Sequence, residues 1–168
     1  VREAVGAPPE EAARELFRFV RDEKNHGMLA PLREGPLAIR LKTADTLVAA
    51  DQWKHDASVA AFIAAAADDS GDTARKAAVV ELLKPELKSE VRDMPRVAYE
   101  WLVRLLPVEE RIERLREGLG DPAFRSSALS ALEWGAGKED KPQFVAEIRA
   151  IAANETISIL ELEQSWRL

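Results

Sequence analysis

The sequence predicts an all-α protein, and three observations carry that expectation. Alanine, the strongest helix former, occurs 28 times in 168 residues. Strict apolar/polar alternation, the mark of a half-buried strand, is nearly absent, while apolar residues recur at three- and four-residue steps. Most of the nine prolines stand where those periodic stretches begin or end.

From the N-terminus, a first helix is expected from Pro9 to Lys24, with Leu16, Phe17, Phe19 and Val20 on its apolar side. Asn25, His26 and Gly27 end it, and residues 28–35 read as a packed turn. After Gly35, the residues Leu37, Leu41, Ala44 and Val48 fall on one helical stripe. Asp56 is placed to cap the next helix, whose Val59, Phe62, Ile63 and Ala66 face inward. Asp69-Ser70-Gly71-Asp72 reads as a turn feeding a helix to about Lys84, where Pro85 interrupts. Residues 86–92 read as a short helix. Asp93-Met94-Pro95 opens another, with Val97, Trp101, Leu102 and Leu105 inward. Pro107 breaks it, and Val108, Ile112, Leu115 and Leu119 mark the following stripe. Gly120-Asp121-Pro122 is a stop and a start: glycine ends one helix, aspartate caps the next and proline fills its first turn. That helix ends near Gly135, and residues 137–141 read as a loop. Pro142 opens a helix bearing Phe144, Val145, Ile148, Ile151 and Ala152, closed by Asn154. The tail from Thr156 to Leu168 reads as a last helix, although the Ile157/Ile159 alternation also fits a short strand.

Composition and motifs exclude several classes of chemistry. Lys+Arg is 24 against Asp+Glu 30, a net charge of -6. Residues 1–84 carry 12 basic and 14 acidic side chains and residues 85–168 carry 12 and 16, so neither half is basic enough to dock on phosphate backbones. Without cysteine there are no disulfides, thiolate metal sites or thiol nucleophiles. The longest alanine-rich run, Val59 to Ala67, is far too short to cross a bilayer and is closed by Asp68 and Asp69. Val1 to Glu11 lacks a signal-peptide pattern, so a cytoplasmic location is expected. Glu23-x-x-His26 has the spacing used in di-iron bundles, but His55 follows Gln52 and Asp51 and supplies no second pair. No Gly-x-Ser-x-Gly elbow or phosphate-binding glycine loop occurs. Glu10-Glu11 and Glu109-Glu110 sit in first helical turns, where they complement the helix dipole. The expectation is a chain that is not an enzyme and has no catalytic, cofactor-binding or metal-binding residues.

Four tryptophans stand out. Trp101 lies on an apolar stripe and is expected in the core. Trp53 and Trp134 fall at helix C-termini, where a ring can cover the end of the core. Trp166, near the end of the chain, either docks as a cap or is offered to a partner.

A repeat is visible in places. In Asp121-Pro122-Ala123-Phe124-Arg125-Ser126-Ser127-Ala128-Leu129-Ser130-Ala131-Leu132, an Asp-Pro cap is followed by an arginine and then by small and leucine positions at helical spacing. Arg40, Arg75, Arg96 and Arg125 each precede an apolar residue by seven positions, namely Leu47, Leu82, Val103 and Leu132. The 121–132 segment resembles the first helix of a HEAT-like repeat, the α-solenoid family of stacked helix pairs. The resemblance implies short antiparallel helix pairs stacked in order; a compact irregular bundle is the alternative. It also implies one domain over 1–168: an N-terminal cap helix and turn (1–35), helix-pair repeats (36–155) and a C-terminal cap (156–168).

The function this resemblance implies is that of a non-catalytic module presenting a curved helical surface to a protein partner. In HEAT-like families the second helix of each pair commonly lines that surface. The resemblance therefore nominates Arg111, Arg114, Glu147 and Arg149 as partner-binding residues and leaves Arg40, Arg75, Arg96 and Arg125 structural; a solvated face with Glu110 and Arg114 as an i,i+4 pair is the other reading of the Val108 helix, and Trp166 joins the partner-binding residues as a terminal aromatic. Alternatives are a small neutralising protein of the antitoxin or immunity type and, disfavoured by the charge balance, a HEAT-like nucleic-acid binder.

Overall fold

Two aspartates and one glycine decide where two of the helices begin and how they join. The computed structural model describes residues 35–153. Among them are seven α-helices and three 3₁₀ turns, with no strand. In order these are α1 (Leu37–Ala49), a 3₁₀ turn (Gln52–His55), α2 (Ala57–Ser70), α3 (Thr73–Leu83), a 3₁₀ turn (Pro85–Lys88), α4 (Met94–Leu105), α5 (Val108–Gly120), α6 (Arg125–Trp134), a 3₁₀ turn (Lys138–Phe144) and α7 (Val145–Ala152). The protein is all-α, as its composition predicts. The expected helix at Pro9 to Lys24, His26, the tail from Thr156 and Trp166 lie outside the described residues.

Asp56 caps α2, its carboxylate accepting from the amides of Ser58 at 2.7 Å and Val59 at 3.2 Å. Asp72 caps α3 in the same way, accepting from Ala74 at 2.9 Å and Arg75 at 3.2 Å. Between them Gly71 stands at φ 67°, a left-handed conformation that lets the chain leave α2 and enter α3 within two residues.

Asp121 behaves differently. Its carboxylate accepts from the Ala123 amide at 2.9 Å, closing a local turn. Its carbonyl takes the amides of Phe124 and Arg125 at 3.0 and 2.9 Å, so the regular helix begins at Arg125 rather than Pro122. The segment around Pro142 also departs from expectation. Residues 138–144 wind as a 3₁₀ turn instead of a loop, with the Asp140 amide on the Gly137 carbonyl at 3.0 Å, and α7 starts only at Val145. Pro142 has no amide hydrogen with which to continue an α-helical ladder. The short helix expected over 86–92 is likewise a 3₁₀ turn at Pro85–Lys88.

The chain divides into two compact units between Ala98 and Tyr99, inside α4. In the first, α1 packs on α2 and α2 on α3, while the Gln52–His55 turn closes against α1 and α2. Arg40, at the start of α1, bonds Asp69, at the end of α2, so these two helices run antiparallel. The sequence pattern marks a stripe on α2, but the burial is nearly all round: Val59 through Ala64, Ala66 and Ala67 are buried. Leu47, Phe62 and Leu83 complete this core, each burial stabilising by roughly 1.5–3 kcal/mol. Trp53 is buried in the turn after α1, as expected of a ring closing a core end.

In the second unit α5 packs on α6, and α6 on the Lys138–Phe144 turn that leads into α7. Leu102, Val103, Leu115, Leu129, Leu132 and Phe144 are fully buried. Several expected core positions are not, among them Ile112, Ile151 and Ala152, which are only partly buried. Trp101 is only half-buried, with the Arg104 guanidinium 5.4 Å from its ring centre. Val108 and Val145 are 47% and 41% exposed because each is the first residue of its helix, ahead of the turns that reach the core.

Tyr99 locks this unit. Its ring stacks on Phe124 with centroids 5.0 Å apart, and its hydroxyl donates to the Arg114 carbonyl at 3.1 Å. The ring lies directly over Gly118: a Cβ there would stand 2.0 Å from the hydroxyl oxygen and 2.5 Å from the ring carbon bearing it.

That contact can be tested in two ways. An alanine in place of a mid-helix glycine ordinarily stabilises by about 0.5–1 kcal/mol, but overpacking a filled site costs roughly 1–3 kcal/mol. Gly118→Ala should therefore lower stability in urea denaturation, whereas Gly120→Ala, with open space around it, should not. The second test concerns pH. Burial pushes the Tyr99 phenol above its ordinary value of 10.0, with the Arg114 charge opposing and Glu117 adding. The unfolded chain then releases this proton at lower pH than the folded one. Stability is full below about pH 10 and falls as the pH climbs from there toward the folded value. Tyr99 is the one tyrosine of the chain, so phenolate absorbance reports on it alone. Its titration should be displaced upward and should accompany loss of helical circular dichroism. Tyr99→Phe should flatten the alkaline slope of stability.

Candidate functional site

A concave feature bordered by described residues is a cleft in the first unit. It is formed where α1 and α3 flank α2 without closing over it. Arg75, Ala78, Val79 and Leu82 are spaced to share one face of α3, and Ala44, Asp45, Val48 and Ala49 to share one face of α1. Ile63 and Ala67, one turn apart on α2, complete its lining with Asp72. The volume is about 420 Å³. Four of its lining residues are alanines, and their short side chains leave the space unfilled.

Charge is confined to one part of the lining. Arg75, in the first turn of α3, donates to both oxygens of Asp45 on α1. The second contact, from Nη2 to Oδ2, is long at 3.4 Å, so the fork is not evenly bidentate. The hydrogen bond to Asp45 holds the guanidinium above its ordinary pKa; partial burial opposes this, and the charges of Asp45 and Asp72 add to it. Nearby, Lys76 bonds Asp68 at 2.7 Å, and Arg40 bonds Asp69.

The residues nominated from the sequence lie in the second unit. Arg111, on α5, donates through Nε to the buried Asp140 carboxylate at 2.8 Å, and both side chains are largely shielded from water. Arg114 pairs with Glu117 one turn along at 2.8 Å, and its Nε is buried without a hydrogen-bond partner. Glu147, on α7, accepts from Arg116 at 3.5 Å, and the Arg116 guanidinium lies 5.6 Å from the Phe144 ring centre. Arg149 is exposed. The structure thus turns Arg111 and Glu147 toward partners within the chain. Trp166 lies outside the described residues. Of the arginines expected to be structural, Arg40 and Arg75 tie α1 to α2 and α3, and Arg125 donates to the Leu119 carbonyl at 3.0 Å, closing the end of α5.

Sequence reasoning missed the cleft. Ala44 and Val48 are visible as one stripe, but no periodicity says that a stripe of alanine and valine is left partly uncovered. The available signal is Arg75, whose seven-residue spacing to Leu82 runs along one wall.

Among the described residues no group of three or more acidic or histidine side chains could hold a metal ion. None of the described helices is long and apolar enough to cross a membrane. Comparison with known proteins returns no matching family model, no similar curated protein and no similar solved structure.

The ion pairs of the second unit differ in expected weight. Breaking the shielded Arg111–Asp140 pair strands a carboxylate in a poorly hydrated place, so Arg111→Ala should cost about 2 kcal/mol or more. The pair of Arg116 and Glu147 is longer and more exposed, so losing its charge interaction should cost under about 1 kcal/mol. Glu147→Gln, which removes this charge interaction and leaves Arg116 over Phe144, and Arg111→Ala compared by chemical denaturation would reveal the ranking.

Proposed function

We propose that this chain is a non-catalytic interaction module, built from helix pairs stacked in the HEAT-like manner, that receives a protein partner at the α1–α3 cleft. The cleft is the observation that carries this reading: an apolar trough on a rigid three-helix scaffold, with a charged group at hand to orient what enters. The stacking is supported within each unit by pairs joining segments a similar distance apart in sequence. Asp45 and Arg75 are 30 residues apart, Arg111 and Asp140 are 29, and Arg116 and Glu147 are 31. The last two pairs join α5 first to the Lys138–Phe144 turn and then to α7, which follows it. A step of about 30 residues lies within the range of solenoid repeats.

The cleft is preferred over the arginine face of α5 because Arg111 and Glu147 are engaged internally. Ala78 is exposed on the cleft wall, so Ala78→Glu should leave the fold intact while placing a charge in the trough. Affinity capture from the native host should lose its specific partners with Ala78→Glu and keep them with Arg149→Glu. Identical capture by wild type and Ala78→Glu would remove the cleft from consideration, and loss with Arg149→Glu alone would return the site to α7.

A further inference from the structure

We infer that the α1–α3 cleft selects a basic amphipathic segment of a partner protein, with an apolar side chain entering the trough and a Lys or Arg meeting the carboxylates of Asp45 and Asp72. This rests on the docking reading above and adds the chemistry of the occupant.

The charge count carries it. The lining holds two carboxylates, Asp45 and Asp72, against one guanidinium, Arg75, and so has one negative charge in excess. The neighbouring acids do not alter the balance, since Asp68 is matched by Lys76 and Asp69 by Arg40. The chain as a whole is also acidic, at -6, which favours encounter with a basic partner. Both carboxylates have capacity left. Asp72 uses one oxygen, Oδ1, for both capping bonds. Asp45 is half exposed, and its second oxygen makes only the long contact to Arg75. A cation here would extend the acid–base–acid arrangement of Asp45, Arg75 and Asp72 by one further base and offset its excess charge. An acidic segment would have to displace Asp45 from Arg75 and would add to the excess.

The geometry sets the spacing of such a segment. Arg75 to Leu82 spans about 10 Å along α3 at the helical rise, roughly two turns. The charged residues begin α3 and the apolar ones follow. The partner should therefore carry its cation one to two turns from its apolar anchor. Exclusion of water by that anchor strengthens the adjoining charge interaction.

Two short labelled amphipathic peptides with the same Leu/Phe face, one flanked by Lys and one by Glu, test this by fluorescence anisotropy on the full chain. The Lys peptide should bind about fivefold more tightly, as one or two partly exposed ion pairs allow, and added salt should narrow the difference. Asp72→Asn retains the cap, because asparagine caps as well as aspartate, and should reduce the preference. Ala78→Leu fills the trough and should abolish binding of both peptides; Ala49→Leu serves the same purpose if Ala78→Leu fails to fold. Equal binding of the two peptides, or tighter binding of the Glu peptide, overturns the charge selection while leaving the docking reading intact. Binding of neither peptide, or binding that survives a filled trough, overturns the cleft as the docking site. A wild-type dimer in size-exclusion chromatography that Ala78→Leu converts to monomer would assign the trough to a second copy of this chain and overturn the inference as well.

Discussion

The first unit depends on a helix that can be covered on nearly every side. α2 buries Val59 through Ala64 together with Ala66 and Ala67, and it can do so because alanine keeps its surface thin. Helices approach to a distance set by the side chains between them. With leucine at Ala60, Ala64 or Ala67, α1 and α3 could not both settle against α2 without displacing one another. The two carboxylate caps, Asp56 and Asp72, and the left-handed Gly71 then hold α2 and α3 in a tight hairpin. The same thinness leaves the trough: where α1 and α3 diverge, alanines at 44, 49, 67 and 78 offer too little volume to fill the gap.

Arginine does a different job in each unit. In the first, Arg40 and Arg75 pair with aspartates that are about half exposed. Such pairs contribute little to stability in water, but a forked cation between two helices restricts how they slide past each other. In the second, Arg111 meets a carboxylate that is almost wholly shielded. There the desolvation penalty is large and the pair stabilises only while complete. Asp140 is held in a 3₁₀ turn rather than a helix, and the turn's tighter winding carries it to α5. Tyr99, Phe124 and Gly118 supply what the ion pair does not: a close-packed contact that tolerates no added methyl group.

Helix content, most helix starts and the cap at Asp56 were legible because they are local, one carboxylate and two amides settling that cap; Asp72, read only as part of a turn, caps α3 in the same way. The errors arise where a local signal meets a longer-range one. Asp121-Pro122 reads as a helix start, but the carboxylate is consumed in a turn with Ala123, and the helix waits until Arg125. Pro142 reads as a first helical residue, yet it lies inside a 3₁₀ turn whose Asp140 is needed by Arg111, 29 residues earlier. Val108, Val145 and Trp101 satisfy the helical period and still face partly outward, because periodicity gives the direction of a stripe and not its end. Arg111 and Glu147 are engaged within the chain for a related reason, while Arg149 is exposed. Charges at i,i+4 spacing look solvated from one helix alone, and only the neighbouring helix reveals that Arg111 and Glu147 have partners across the gap.

The trough poses the question of why natural sequence leaves it open. A leucine at Ala78 or Ala49 would bury additional apolar surface at roughly 25 cal/mol for each Å² removed from water, and both positions are exposed enough to accept one. Stability alone therefore favours filling. Proteins commonly carry such unoptimised positions, and a single alanine would need no further account. Here four alanines from three helices border one space, and the lining's charged groups gather around the start of α3, with Arg75 linked to Asp45 across from it. Capping accounts for Asp72 and the tie between helices for Arg75 and Asp45, but neither role calls for an unfilled apolar space beside them. The proposed docking of an apolar group and a cation does, which is why the interaction reading is attached to this trough and not to the more heavily charged face of α5.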